Sequence, residues 1–229
     1  ITNINTMDKD FDYIYHLAAL ARIQQSFNDP QETFRVNSVG TQRVCEFARL
    51  TGAKLIYAGS SSRWCDPHTS PYATSKFLGE EIIKMYRRTY GLNMEIARFY
   101  NVYGPHEIVD GIWAAVIGIW RNQVTNGEKI TIIGDGEQRR DFTHVDDIVE
   151  GLFRIGFKDI KHEDAWELGT GINYSINEVY QMFRERFGAD FINIPDQPGN
   201  YRKTLRENDD SLDRLGWKPS DKLKDYIFS

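Results

Sequence analysis

The sequence is poor in the features that would place it quickly. It holds two cysteines in 229 residues, Cys45 and Cys65, and neither forms a Cys-x-x-Cys pair or stands at a ligand spacing from histidine. That argues against a disulfide framework and a structural metal, and reads as free thiols of a cytoplasmic protein. There is no basic block: net charge is −5, and the pair Arg139-Arg140 is too small for a patch, so nucleic acid is not an expected partner. The longest apolar runs fall far short of a membrane span, so no membrane is expected either. The stretch 1–12 lacks the basic segment and apolar core of a secretory signal. Repeats and low-complexity linkers are missing as well.

What is present is a globular composition, 41% hydrophobic and 27% charged, in a chain long enough for a real core. Residues 11–17 (FDYIYHL) read as a buried strand. Asp29-Pro30 opens a helix over 31–50, which Thr51-Gly52 stops. Residues 54–58 (KLIYA) form the next strand, 72–90 a long helix ended by Gly91, and 94–99 a third strand. This alternation predicts a doubly wound α/β domain with a parallel sheet covered on both faces. Beyond Gly104 the rhythm changes: helices over 113–126, 146–155 and 175–187 and a short strand at 130–133 predict a smaller mixed lobe sharing a cleft with the sheet.

Chemistry first shows in Pro71-Tyr-Ala-Thr-Ser-Lys76, where Tyr72 and Lys76 lie one helical turn apart on one face. A phenol ionises near ~10 in water and needs a neighbouring cation to act as a base near neutrality. The Lys76 ammonium is expected to supply it. Ser60, at the C-terminal end of the 54–58 strand, would face the crevice where such sheets bind ligands and hydrogen-bond a sugar hydroxyl.

With these residues in view, the chain resembles the extended short-chain dehydrogenases/reductases, and most closely their NAD-dependent epimerase/dehydratase group, nucleotide-sugar epimerases of the UDP-glucose 4-epimerase kind. The resemblance rests on motifs in family order: His16-Leu-Ala-Ala19, Asn37-Ser-Val-Gly-Thr41, Gly59-Ser-Ser-Ser62, Pro71 to Lys76, Arg98-Phe-Tyr-Asn-Val-Tyr-Gly-Pro105, the run from Gly134 to Asp147, and Leu215-Gly-Trp-Lys-Pro219. It implies Ser60, Tyr72 and Lys76 as the catalytic set. It implies Leu17, Ala18, Ala19, Asn37, Tyr72, Lys76 and Phe99 around the cofactor, NAD. It implies Ser60, Asn101, Arg140 and, more weakly, Arg202 on a nucleotide-diphosphate sugar, the guanidinium forks matching phosphate oxygens. No metal is implied: His144 with Asp146-Asp147 reads as a strand end entering a capped helix, and His16 as a structural histidine. A homodimer through helices 31–50 and 72–90 is expected, with Phe77, Leu78, Ile82, Ile83 and Tyr86 as its apolar surplus. The resemblance divides the chain into a partial dinucleotide-binding (Rossmann) domain, 1–104, and a mainly substrate-binding lobe, 105–229, with segments returning to the core.

The sequence departs from the family pattern in three places. The glycine-rich turn that opens the family's cofactor domain is not in the sequence, so the chain reads as N-terminally truncated and its sheet as open at one edge; as written it is expected to bind dinucleotide weakly and to turn over little. The residue that would choose NAD over NADP belongs to that unit, which leaves NADP open. The connection from Ser60 to Tyr72 is short. Ser61 and Ser62 stand where dehydratases and decarboxylases carry acids, so the expected chemistry is the simplest, epimerisation, at C4 of the sugar. Two rivals are a keto-sugar 3,5-epimerase/4-reductase of the GDP-fucose synthase kind, with His106 as its acid but Ser62 in place of a reactive cysteine, and a non-catalytic fragment or binding domain.

Overall fold

The computed structural model describes residues 10–229, so the stretch 1–9 examined above for a signal lies outside the described residues. The first half runs β1 (Tyr13–His16), α1 (Ile23–Asn28), α2 (Pro30–Phe34), a wider π turn at Arg35–Val39, α3 (Gly40–Thr51), β2 (Lys54–Ser60), α4 (Pro71–Tyr90) and β3 (Met94–Phe99). The second half runs β4 (Val102–Tyr103), α5 (Val116–Thr125), β5 (Ile130–Ile133), β6 (Arg139–Asp141), β7 (Thr143–His144), α6 (Val145–Phe157) and β8 (Trp166–Leu168). It closes with β9 (Asn173–Ser175), α7 (Ile176–Phe187), β10 (Phe191–Ile194), α8 (Asp210–Asp213) and α9 (Leu223–Phe228).

Strands β1, β2, β3 and β8 form one parallel sheet in that order. Alternation along β2 sends Leu55 and Tyr57 towards Val44, Ala48, Ile83 and Tyr86 of α3 and α4. It sends Ile56 the other way, into Ile148, Leu152 and Ile155 of α6 with Trp166 and Trp217. Each such side chain, fully buried, contributes about 1.5–3 kcal/mol, which is why apolar residues dominate the strand on both faces. A separate core of Trp120, Ile130, Phe142, Val179, Phe183 and Leu223 holds the smaller lobe. The predicted doubly wound sheet is therefore present. Chain position and layer do not divide cleanly at Gly104, since α6, β8 and the Leu215–Trp217 stretch all serve the sheet.

Helix ends follow local chemistry. Asp29 accepts the Glu32 N–H at 2.9 Å ahead of Pro30, and Ser70 accepts the Ala73 N–H at 3.1 Å ahead of Pro71. Gly91 closes α4 at φ 68°, in the left-handed region that glycine enters without strain. Among the described residues β1 pairs only with β2. Beside that edge Tyr13 and Tyr15 are exposed, and on α6 Val149, Phe153 and Phe157 are each about 60% exposed.

Behind the sheet's C-terminal end lies a buried ion cluster. Arg98 on β3 reaches Glu80 on α4 at 2.8 Å, Glu167 on β8 at 2.9 Å and Asp164 at 2.7 Å. Burial works against the Arg98 charge, but these carboxylates more than offset it and hold the guanidinium protonated. Gly59 passes beside the cluster so closely that a Cβ there would lie 2.8 Å from Glu80 Oε1 and 2.9 Å from Arg98 Cγ. The short connection after Ser60 folds onto the same cluster. Trp64 Nε1 donates to both Glu167 oxygens at 3.2 Å, and its ring lies 5.0 Å from the Arg98 guanidinium.

Candidate active site

Parallel strands deliver their last residues to one rim. β2 ends at Ser60, which pairs in register with Phe99 at the end of β3, and β1 ends at His16 beside Tyr57. The capped first turn of α4 brings Tyr72 over that rim, and its hydroxyl donates to Ser60 Oγ at 3.4 Å. Ser62 Oγ donates to the same oxygen at 2.9 Å. A hydroxyl held by two neighbours is fixed in place to meet a third, which is what proton handling at a sugar hydroxyl needs.

The electrostatics differ from expectation in one respect. Burial pushes the Tyr72 phenol up; the Ser60 hydrogen bond and the Arg22 guanidinium pull it back. Lys76 is buried, and its Nζ donates to Ala58 O at 2.6 Å while sitting 4.4 Å from the centre of the Tyr57 ring. Burial lowers Lys76 to about 8, opposed by Glu80. An ammonium with so little solvent must find acceptors, and Lys76 takes a strand-end carbonyl and a ring face, one turn along the same helix from Tyr72. A cation absent from the expected set, Arg22, also favours the ionised phenol of Tyr72. The one available signal was an arginine in the loop between the strand ending at His16 and Asp29-Pro30.

Around the expected cofactor wall, Leu17 and Ala18 are exposed and Ala19 is half-buried just past β1. Phe99 is half-buried at the end of β3. Asn37 sits in the π turn, a distortion that often marks functional places. Its Oδ1 accepts Leu20 N–H at 2.8 Å, and its Nδ2 donates to Leu20 O at 3.2 Å and Ser75 Oγ at 2.9 Å. Through these bonds it staples the 17–20 loop to α4. His16 bonds Thr41 Oγ1 at 2.9 Å, and burial, with the Lys76 charge, lowers it to about 4, so it stays neutral at physiological pH.

Of the four expected substrate residues, Ser60 stands at the rim, and Asn101, Arg140 and Arg202 separate from one another. Arg140 is half-buried, bonded to Arg139 O at 2.9 Å and Asn200 Oδ1 at 2.7 Å. Asn101 donates to Asp141 O at 2.9 Å and Thr204 Oγ1 at 3.0 Å, so its amide hydrogens tie the lobes together instead of facing a phosphate. Arg202 is exposed and grips both oxygens of Asp135, at 3.1 and 3.0 Å. His144 caps α6 through Nδ1 and the Asp146 N–H. His106 is exposed at φ 67°. Of the expected dimer residues, Ile83 and Tyr86 are buried in the protomer's own core, leaving Leu78 exposed and Phe77 and Ile82 half-buried.

A parallel α/β sheet with a Ser–Tyr pair at its strand ends and a lysine one turn along the same helix defines a short-chain dehydrogenase/reductase type of protein. Residues 2–169 match the NAD dependent epimerase/dehydratase family, and the chain belongs to that family of NAD-dependent enzymes. It is 32% identical over 238 residues to a UDP-glucose 4-epimerase of Mycolicibacterium smegmatis, covering 94% of this chain and 74% of that protein. Its fold matches the crystal structure of a Thermotoga maritima UDP-glucose 4-epimerase with UDP-glucose at a TM-score of 0.85 and 28% identity, over 95% of this chain and 75% of that one. It also matches a UDP-glucuronic acid 4-epimerase of Bacillus cereus in complex with UDP-glucuronic acid and NAD at a TM-score of 0.86 and 25% identity, over 98% and 77% of the two chains. No helix among the described residues is long and apolar enough to cross a membrane.

Proposed function

We propose that this cleft epimerises a nucleotide-linked sugar at C4. The observation that carries the reading is the Tyr72–Ser60–Ser62 hydroxyl cluster, with no carboxylate or thiol at Ser61 or Ser62. Dehydration and decarboxylation both need an extra acid or base beside the tyrosine; oxidation and re-reduction of a hydroxyl need only one proton acceptor that can give the proton back.

The described residues fit the sugar-facing half of a dinucleotide. Small or exposed side chains at Leu17–Ala19 leave a shelf beyond β1, Phe99 offers a ring face, and Lys76, buried with its Nζ on a single strand-end carbonyl, has two further N–H donors for a ribose. Bound NAD supplies an acceptor for hydride and afterwards a donor. The chain's own residues do the rest. Ser60 holds the sugar hydroxyl against Tyr72. Tyr72 takes the hydroxyl proton, and returns it once the keto sugar has turned its other face. Arg140 faces the diphosphate. We also propose a homodimer through the outer faces of α3 and α4, supported by exposed Val39, Leu78 and Met85; a monomeric mass by light scattering counts against it.

The test is cofactor accounting. An epimerase converts UDP-glucose to UDP-galactose with no net change in dinucleotide redox state. Stoichiometric oxidation of NADPH with a keto-sugar substrate would instead establish the reductase, a role that exposed His106 and the hydroxyl of Ser62 do not favour.

A further inference from the structure

We propose that Arg22 is the specificity-determining cation of the cleft, receiving a carboxylate carried by the sugar, so that the preferred substrate is a nucleotide-linked sugar acid. The inference rests on the nucleotide-sugar reading above and narrows it.

The two buried arginines among the described residues have carboxylate partners, while Arg22 is half-buried. Arg98 has Glu80, Glu167 and Asp164, and Arg206 has Asp209. Arg22 has none among the described residues. Its Nε donates to Trp113 O at 2.7 Å, which fixes the plane of the guanidinium and leaves the Nη1–Nη2 edge without a hydrogen bond to any described residue. A half-buried cation without an anion has given up part of its hydration with no charge to offset it. An uncommitted two-nitrogen edge is also the geometry that takes a carboxylate through two parallel hydrogen bonds, whereas a single phenolate oxygen occupies it poorly.

Position says which anion. Arg22 precedes α1, and that helix is pinned over the active-site rim: Gln24 Nε2 donates to Pro198 O at 2.8 Å, and Gly199 lies against both Ile23 and Ser70, the cap of α4. The Arg22 charge is felt by Tyr72, whereas Arg140, another guanidinium without a carboxylate partner among the described residues, is near enough to act on Cys65 and Tyr201. Tyr72 must touch the reacting sugar hydroxyl, so Arg22 stands at the sugar end and Arg140 at the diphosphate end. Two separated unpaired cations match a ligand with two separated anionic groups. A neutral sugar would leave Arg22 uncompensated.

The test is calorimetric titration of the chain, wild type, Arg22→Gln and Arg22→Lys, with UDP, UDP-glucose and UDP-glucuronate. Wild type is expected to bind UDP-glucuronate about tenfold or more tightly than UDP-glucose, the scale of one charge-assisted fork. Arg22→Gln is expected to abolish that preference while leaving UDP within about twofold. Arg22→Lys, which keeps the charge and loses the fork, should retain a smaller preference; it decides the matter if the glutamine variant fails to fold. Equal or tighter binding of UDP-glucose by wild type, a preference that survives Arg22→Gln undiminished, or an equal loss for all three ligands overturns the assignment, the last placing Arg22 on the diphosphate. No binding of any of the three overturns the nucleotide-sugar reading itself, and the inference with it.

Discussion

Replacing Arg98 by methionine, which keeps the length of the side chain and removes its charge, should unfold much of the protein's margin. Arg98 is fully buried and, among the described residues, is the one cation that touches Glu80, Glu167 and Asp164 together. Without it, Glu80 keeps Arg63 at 3.8 Å, and Glu167 keeps the Trp64 and Tyr100 donors. Two carboxylates with about 1% exposure each are then held by weaker partners. Removing one partner of a buried pair costs about 3–5 kcal/mol. Against a total stability of about 5–15 kcal/mol this is a large fraction. Urea unfolding followed by far-ultraviolet circular dichroism measures it. The deficit should shrink on going from neutral pH to mildly acidic pH, because protonating the orphaned carboxylates removes the buried negative charge, an option with no benefit in the paired wild type. A loss below about 1 kcal/mol, the scale of an exposed pair, or a deficit independent of pH, would refute the claim that this cluster is a charge-balanced unit.

Other consequences are open to the same methods. His16 has its folded-state pKa lowered from 6.5 to about 4, so the unfolded chain binds the extra proton between those values; stability should fall as pH drops from 6.5 to 4, by up to roughly 3 kcal/mol from this residue, and Thr41-paired substitutes such as His16→Gln should flatten that slope. Lys76 is lowered from 10.5 to about 8, so its burial costs most below pH 8 and nothing above 10.5; Lys76→Met should therefore gain about 1–3 kcal/mol at neutral pH by thermal unfolding, lose that gain in strong base, and lose dinucleotide affinity throughout. Gly59→Ala forces a Cβ to 2.8 Å from Glu80 Oε1 and should cost about 1–3 kcal/mol in urea unfolding.

Much of the fold was legible because its elements are marked locally. The strand at 94–99 and the strand at 130–133 coincide with β3 and β5, and the helix expected over 31–50 is the rod from Pro30 to Thr51. The caps at Asp29, Ser70 and Ser175 carry their own chemistry and needed no tertiary information. The π turn inside the first rod was invisible, since it follows from how Asn37 meets the 17–20 loop and α4, contacts 17 and 38 residues away in sequence. The same limit explains the site. Ser60 and Tyr72 lie within one motif-rich stretch and were paired by inspection. Arg22 and its carbonyl partner Trp113 are 91 residues apart, and whether an arginine has a carboxylate partner is a property of the folded neighbourhood. Arg202 and Asn101 were assigned through the resemblance, which carries no information on their long-range partners; in the fold they bond Asp135 and the Asp141–Thr204 junction.

The central claim is that Tyr72 moves the proton in a redox-neutral epimerisation. The direct measurement is interconversion of UDP-linked C4 epimers by the full-length gene product at saturating NAD⁺, wild type against Tyr72→Phe, with epimers resolved by proton NMR and reduced cofactor followed by absorbance. Tyr72→Phe should lower the rate about 10²-fold or more, the scale of a positioned acid–base group, with little change in substrate binding and no accumulation of reduced cofactor in wild type. Undiminished turnover by Tyr72→Phe would contradict the account.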